Sequence, residues 1–207
     1  MMLTSMTVAD LLAAFRSAEP TPGGGSASAL AGAVGASLLT MVAGLPKPRT
    51  ASEEDAQRLG AAGGRCRELS ERLAELVERD SKAYDLVVGA FRLPKSTEEE
   101  KAARTESIQR ALRAATEAPL EVMRACGDAI EQGAVVAEFG NANASSDVQV
   151  GLELLGAGLR GARLNVEINL GSVKDADYVQ HARVEAERLA EEAETNIAAS
   201  RSRLRAT

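Results

Sequence analysis

The chain has 207 residues, of which 2% are aromatic and none is tryptophan, and it carries a formal charge of −6. This length suits one domain with a sizeable core, read as spanning residues 1–207, and the abundance of alanine, leucine, glutamate and arginine favours helices over strands. An acidic chain without a basic, aromatic-bearing patch is not expected to bind nucleic acid or an anionic membrane surface.

Thr7 is placed to cap a first helix whose apolar side carries Val8, Leu11, Leu12 and Phe15, and Pro20 and Pro22 stop it. The segment PTPGGGSASALAGAVGASLLTMVAGLP, residues 20–46, then runs without a single charge. After Gly25, the residues Leu30, Val34, Leu38, Met41 or Val42, and Leu45 form a stripe, and most other positions are Ala, Gly or Ser. The length would permit a membrane span, but the three glycines and the many alanines and serines make the run weakly apolar. Small residues at Ala29, Gly32, Ala33, Gly35 and Ala36 instead suit a central helix that other backbones approach closely.

Pro46 and Pro48 mark a loop, and Ser52 with Asp55 reads as a capping box for a long helix from about Glu53 to Phe91. Pro94 ends it, Thr97 with Glu100 caps the next helix, and Pro119 restarts or kinks that one. Ile108, Ala111, Leu112 and Ala115 face inward before the proline, and Leu120, Met123, Cys126, Ile130, Ala134 and Ala137 continue the pattern after it. The turn-forming segment GNANASSD, residues 140–147, precedes a helix reaching about Leu170, with Ser146 and Gln149 as its capping box. A charged, alanine-rich helix from Asp177 finishes the chain. The expected fold is all-α, a single-domain multi-helix bundle with long antiparallel helices.

Three places carry chemistry. Steps of three and four residues from Leu69 through Leu73 and Leu76 land on Asp80 and then on Tyr84, Val87 and Phe91, which puts a carboxylate in the core-facing stripe. Such a group needs donors or a cation, so Asp80 reads either as a site for proton transfer or cation holding, or as half of a structural ion pair with an arginine. GNANASSD ends at a helix N-terminus, where Asn141, Asn143 and Asp147 either meet a ligand or simply form a turn and a cap. Asn165 and Asn169 stand four residues apart on a face that also holds Gly151, Gly158 and Gly161, and either a ligand or a neighbouring helix approaches there.

Other chemistries fit poorly. The single histidine, His181, and the widely separated Cys66 and Cys126 give no paired metal-ligand spacing and no basis for a Ser-His-Asp triad, so no metal is expected. PTPGGGS lacks the Gly-Lys-Ser/Thr ending of a phosphate loop and the strand that precedes a dinucleotide fingerprint. It still offers the backbone N–H groups of Gly23, Gly24 and Gly25, with Ser26 as a possible cap, to a polar or planar ligand. The start of the chain has no positive leader with a small-residue cleavage site, and with two distant cysteines the expected compartment is the cytoplasm.

The segments PTPGGGSASALAGAVGASLL, ERDSKAYDLVVGAFRLPKSTEEEKAART, EAPLEVMRAC, GNANASSD and LNVEINL, in this order and over roughly residues 7–180, resemble the cyclodeaminase/cyclohydrolase family of folate enzymes. The resemblance implies an all-helical subunit that forms a homodimer, uses no metal and no cofactor beyond its tetrahydrofolate substrate, and binds that substrate against the glycine-rich segment. By motif, the aspartate ahead of the Leu-Pro-Lys turn falls on Asp80, which the resemblance makes the catalytic residue. Gly23, Gly24, Gly25, Ser26, Tyr84, Asn141, Asn143, Asp147, Asn165 and Asn169 are the candidate substrate-binding residues beside it. A chain of this length is more similar to the free-standing methenyltetrahydrofolate cyclohydrolases than to the fused domain that deaminates formiminotetrahydrofolate. A non-catalytic helical dimer that binds folate or a partner protein is the third reading. GLPKPRTASEED departs from the family, whose members often carry an Asn-Leu-Thr segment and a lysine-rich, tyrosine-containing stretch there.

Overall fold

The structure, a computed structural model, describes residues 2–205. Its six α-helices are α1 (Val8–Phe15), α2 (Gly24–Ala43), α3 (Glu53–Phe91), α4 (Glu98–Phe139), α5 (Ser145–Leu170) and α6 (Ala176–Arg205), and no strand occurs among the described residues. The caps expected at Thr7, Ser52 and Thr97 all form: each side-chain oxygen accepts from the backbone N–H three residues on, and Asp55 and Glu100 return the bond. These satisfy N–H groups that a helix start otherwise leaves unpaired. Pro119 lies inside a continuous α4, where the residues around it are buried.

Helix α2 is the axis of the molecule, packed against α3 on one side and α5 on another. Its contacts with α5 are between backbones. A Cβ added at Gly35 would lie 2.6 Å from the Gly151 carbonyl, and one at Gly158 would lie 2.7 Å from the Ser28 carbonyl. Forcing even a methyl group into such a seam costs about 1–3 kcal/mol. Around it Leu39, Leu73, Leu76, Leu120, Met123, Ile130, Leu152, Leu155 and Leu159 are fully buried, and a leucine taken from water to such a site contributes about 1.5–3 kcal/mol. Successive long helices run antiparallel, whereas α6 lies along α4 in the same direction, joined by the Arg124–Glu185 and Arg113–Asp175 pairs.

Three expectations are corrected here. The stripe of large residues on α2 faces the core only in part: Leu30 and Leu45 pack against it and Val42 is buried, but Val34 is 45% and Met41 43% exposed, while the small residues Ala29, Gly32 and Ala36 are buried. Close backbone approach to α5 requires small residues inward along that side, which turns Val34 and Met41 out. Likewise Val8 and Leu12 of α1 are exposed, and only Leu11 packs on the core. The Ser146–Gln149 capping box does not form either. A 3-10 turn at Ala142–Ala144 leads directly into α5 at Ser145, so both residues are already helical.

Candidate active site

The stripe on α3 explains how a carboxylate comes to sit beside the core. Leu69, Leu73 and Leu76 are buried beneath α2, and one turn later the same face reaches the place where α2 begins. There the Ser26 N–H donates to Asp80 Oδ2 at 2.9 Å, and the Ser26 hydroxyl lies 3.2 Å from the same oxygen. Asp80 thus caps α2 from another helix, where the positive end of the helix dipole favours an anion. Gly25 is required at this point, because a Cβ there would collide with the Asp80 carboxylate.

The ion-pair alternative does not describe Asp80. No salt bridge among the described residues includes it, and the neighbouring Arg79 turns away to Glu121 at 2.7 Å. Burial pushes the Asp80 carboxyl above its ordinary value, and the two hydrogen bonds from Ser26 act in the opposite direction without cancelling it.

Beside the carboxylate lies a cavity of about 310 Å³. Pro20, Thr21 and Gly23 to Gly25 form one wall, Ala83, Tyr84 and Val87 of α3 another, and Leu112 and Ala115 of α4 with Asn165 and Asn169 of α5 close the rest. Asp80 is the one formally charged residue in this lining. A cleft whose single charged group is a half-buried carboxylate, with no cationic side chain in its lining, favours a cationic ligand.

The expected site residues divide into two groups. Gly23, Gly24, Gly25, Asp80, Tyr84, Asn165 and Asn169 are brought together around the cavity. Ser26 is fully buried and serves Asp80, with its hydroxyl also 2.8 Å from the Val77 carbonyl. Asn141, Asn143 and Asp147 lie elsewhere, since Asp147 and Asn165 sit near opposite ends of α5, about 27 Å apart along its axis. Asn141 Nδ2 donates to the Pro46 carbonyl at 2.7 Å, and its oxygen accepts from the Asn143 N–H at 2.8 Å.

The atypical Pro46–Arg49 segment belongs to this second end. Arg49 N–H and Nε donate to the carbonyls of Phe139 and Gly140 at 2.8 and 2.9 Å, and its Nη2 donates to Ala137, so the loop closes the C-terminus of α4. Thr21 is the polar cavity residue that sequence reasoning missed. Its place between the two prolines of PTPGGGS was the available signal.

The arrangement matches known proteins along almost its whole length. The family model described as formiminotransferase-cyclodeaminase covers residues 7–188. A methenyltetrahydrofolate cyclohydrolase from Methylorubrum extorquens is 40% identical over 187 residues, 90% of either chain. The formimidoyltransferase-cyclodeaminase of Rattus norvegicus is 33% identical over 177 residues, 86% of this chain and 33% of the rat protein. Among solved structures, the formiminotetrahydrofolate cyclodeaminase of Thermotoga maritima is similar with a TM-score of 0.85 and 25% identity, covering 98% of this chain and 97% of that one. With Asp80 set against the glycine strip inside the matched region, the chain belongs to the formiminotransferase-cyclodeaminase family.

Proposed function

We propose that this protein is a folate one-carbon enzyme that hydrolyses 5,10-methenyltetrahydrofolate to 10-formyltetrahydrofolate, with Asp80 as its catalytic base. The observation that carries the reading is a half-buried carboxylate, hydrogen-bonded among the described residues by Ser26 alone, as the one charged group lining a cavity of mixed polarity. The methenyl carbon lies between two nitrogens that share a positive charge, so it is already electrophilic, and the cation pairs with Asp80 as it enters. Water attacks that carbon and Asp80 takes one of its protons, giving a neutral hydroxyl adduct. Asp80 then returns the proton to N5 as the N5–carbon bond breaks, the hydroxyl proton leaves to solvent, and the carbon stays on N10 as a formyl group. The net release of one proton balances the lost cationic charge.

Hydration is favoured over deamination because the cyclohydrolase relative is 40% identical over 90% of both chains, whereas the rat relative and the Thermotoga maritima cyclodeaminase, the latter matched over 97% of its length, are 33% and 25% identical. Incubation with each substrate separates them. Loss of methenyl absorbance from 5,10-methenyltetrahydrofolate is expected. Formation of that absorbance from formiminotetrahydrofolate, with release of ammonia, would assign the protein to deamination, and folate binding without conversion of either would make it a non-catalytic binder.

The working unit is a homodimer in this reading, acting in the cytoplasm without a cofactor. Helices α2 and α5, which pack together, both leave large apolar side chains in the open: Val34 and Met41 on one, Val150, Leu164 and Ile168 on the other, with Ile168 78% exposed. Light scattering is expected to give the dimer mass, and Ile168→Glu is expected to shift it toward the monomer. A wild-type monomer at micromolar concentration would contradict the dimer.

A further inference from the structure

Asn165 and Asn169 line the cavity one helical turn apart, and each donates one amide N–H to a backbone carbonyl. Asn165 Nδ2 donates to Gly161 at 2.9 Å, and Asn169 Nδ2 donates to Ala115 at 2.8 Å. A carbonyl oxygen only accepts, so these two bonds fix which end of each carboxamide is nitrogen. Both Oδ1 atoms are therefore turned from those carbonyls, and neither receives a hydrogen bond from a described residue. Gly24 and Gly25 lie between this pair and the carboxylate. A Cβ on Gly24 would stand 3.5 Å from Asn165 Nδ2, while one on Gly25 would meet Asp80. The result is a bare backbone floor with a carboxylate on one side and two orphan acceptors on the other.

We propose that Asn165 and Asn169 are the specificity-determining residues of the cleft, their two oxygens accepting from the donor edge of a 2-amino-4-oxo heterocycle, its ring N–H and exocyclic amine. This orientation rests on the folate reading. It lays the bicycle across Gly24 and Gly25 and turns the edge bearing the methenyl bridge toward Asp80. The two carboxamide oxygens reject a ligand whose corresponding edge is methylated or itself accepts, because they would then be desolvated without a partner.

The test compares 5,10-methenyltetrahydrofolate with its 2-desamino-2-methyl analogue in wild type, Asn165→Ala and Asn169→Ala. Wild type is expected to favour the natural substrate by about 10-fold or more in kcat/KM, with most of the difference in KM. Each alanine variant is expected to shrink that ratio by raising KM for the natural substrate and leaving the analogue nearly unaffected. Equal handling of both compounds by wild type would overturn the assignment, and that arm stands even if a variant fails to fold. Folded variants that keep the full ratio would overturn it as well. A wild type that discriminates neither compound because it converts neither would sink the folate reading together with this inference, an outcome distinct from turnover without discrimination.

Discussion

Two junctions between a loop and a helix start, residues 20–26 and residues 140–147, offer the same local chemistry and meet opposite fates. At the first, α2 begins at Gly24 with no side chain of its own as cap, Asp80 reaches across from α3, and a cavity opens beside the pair. At the second, Asn141 is consumed by the Pro46 carbonyl and by its own turn, and Arg49 seals the carbonyls of Ala137, Phe139 and Gly140. Spare hydrogen-bonding capacity next to empty volume marks the working end. Polar groups of Asn141 and Arg49 given over to the backbone mark the end that holds the fold.

Substitutions at the two ends should separate cleanly. The largest effect is expected for Gly25→Ala, whose methyl group takes the space of the Asp80 carboxylate: turnover should fall by about 10³-fold, on the scale of a lost general base. Steady-state assay beside a melting curve distinguishes displacement of Asp80 from unfolding, and near-normal turnover would mean that the carboxylate position is immaterial. Ser26→Ala should lower kcat by about 10-fold with little change in KM, in line with one lost hydrogen bond to a charged group. It should also move the acid limb of the pH profile upward, because the Ser26 hydrogen bonds favour the ionised carboxylate. An unmoved limb would assign Ser26 to packing alone.

At the other end, Asn141→Ala should leave turnover within a few-fold and cost about 1–2 kcal/mol in denaturant unfolding, since a carbonyl and an N–H lose their partner. A drop in turnover matching that of Ser26→Ala would erase the contrast between the junctions. Asp147→Asn is expected to do least, about 0.3–1 kcal/mol from the lost charge in the first turn of α5, with activity unchanged.

Much of this architecture was legible because its signals are local. The Ser52–Asp55 and Thr97–Glu100 pairs bound α3 and α4 where the spacing places them, and the three-and-four stepping from Leu69 found Asp80 before any fold was known. What was not legible depends on partners distant in sequence. The outward turn of Val34 and Met41 follows from Gly151 and Gly158 lying against α2, and nothing within residues 20–46 reveals that. GNANASSD reads either as a turn and cap or as part of the same ligand site as PTPGGGS, because a turn before a helix looks alike in both. Only the length of α5 between Asp147 and Asn165 separates them. The ion-pair alternative at Asp80 fell for a similar reason, since it turns on where Arg79 and Glu121 point.

The Asp80 carboxyl also sets a stability signature. Its folded-state value lies above the ordinary one, so the protonated form is favoured in the fold, and the associated stability is present at low pH and lost as pH rises through the folded-state value. Asp80→Asn should accordingly melt later than wild type at neutral pH, by a lead that closes as pH falls below the ordinary carboxylate range. The most direct test of the central claim is the turnover of 5,10-methenyltetrahydrofolate by that same variant, measured with its folate affinity. A folded Asp80→Asn protein that still binds folate and has lost about 10²-fold or more in kcat is the expected result, and turnover within a few-fold of wild type would contradict it.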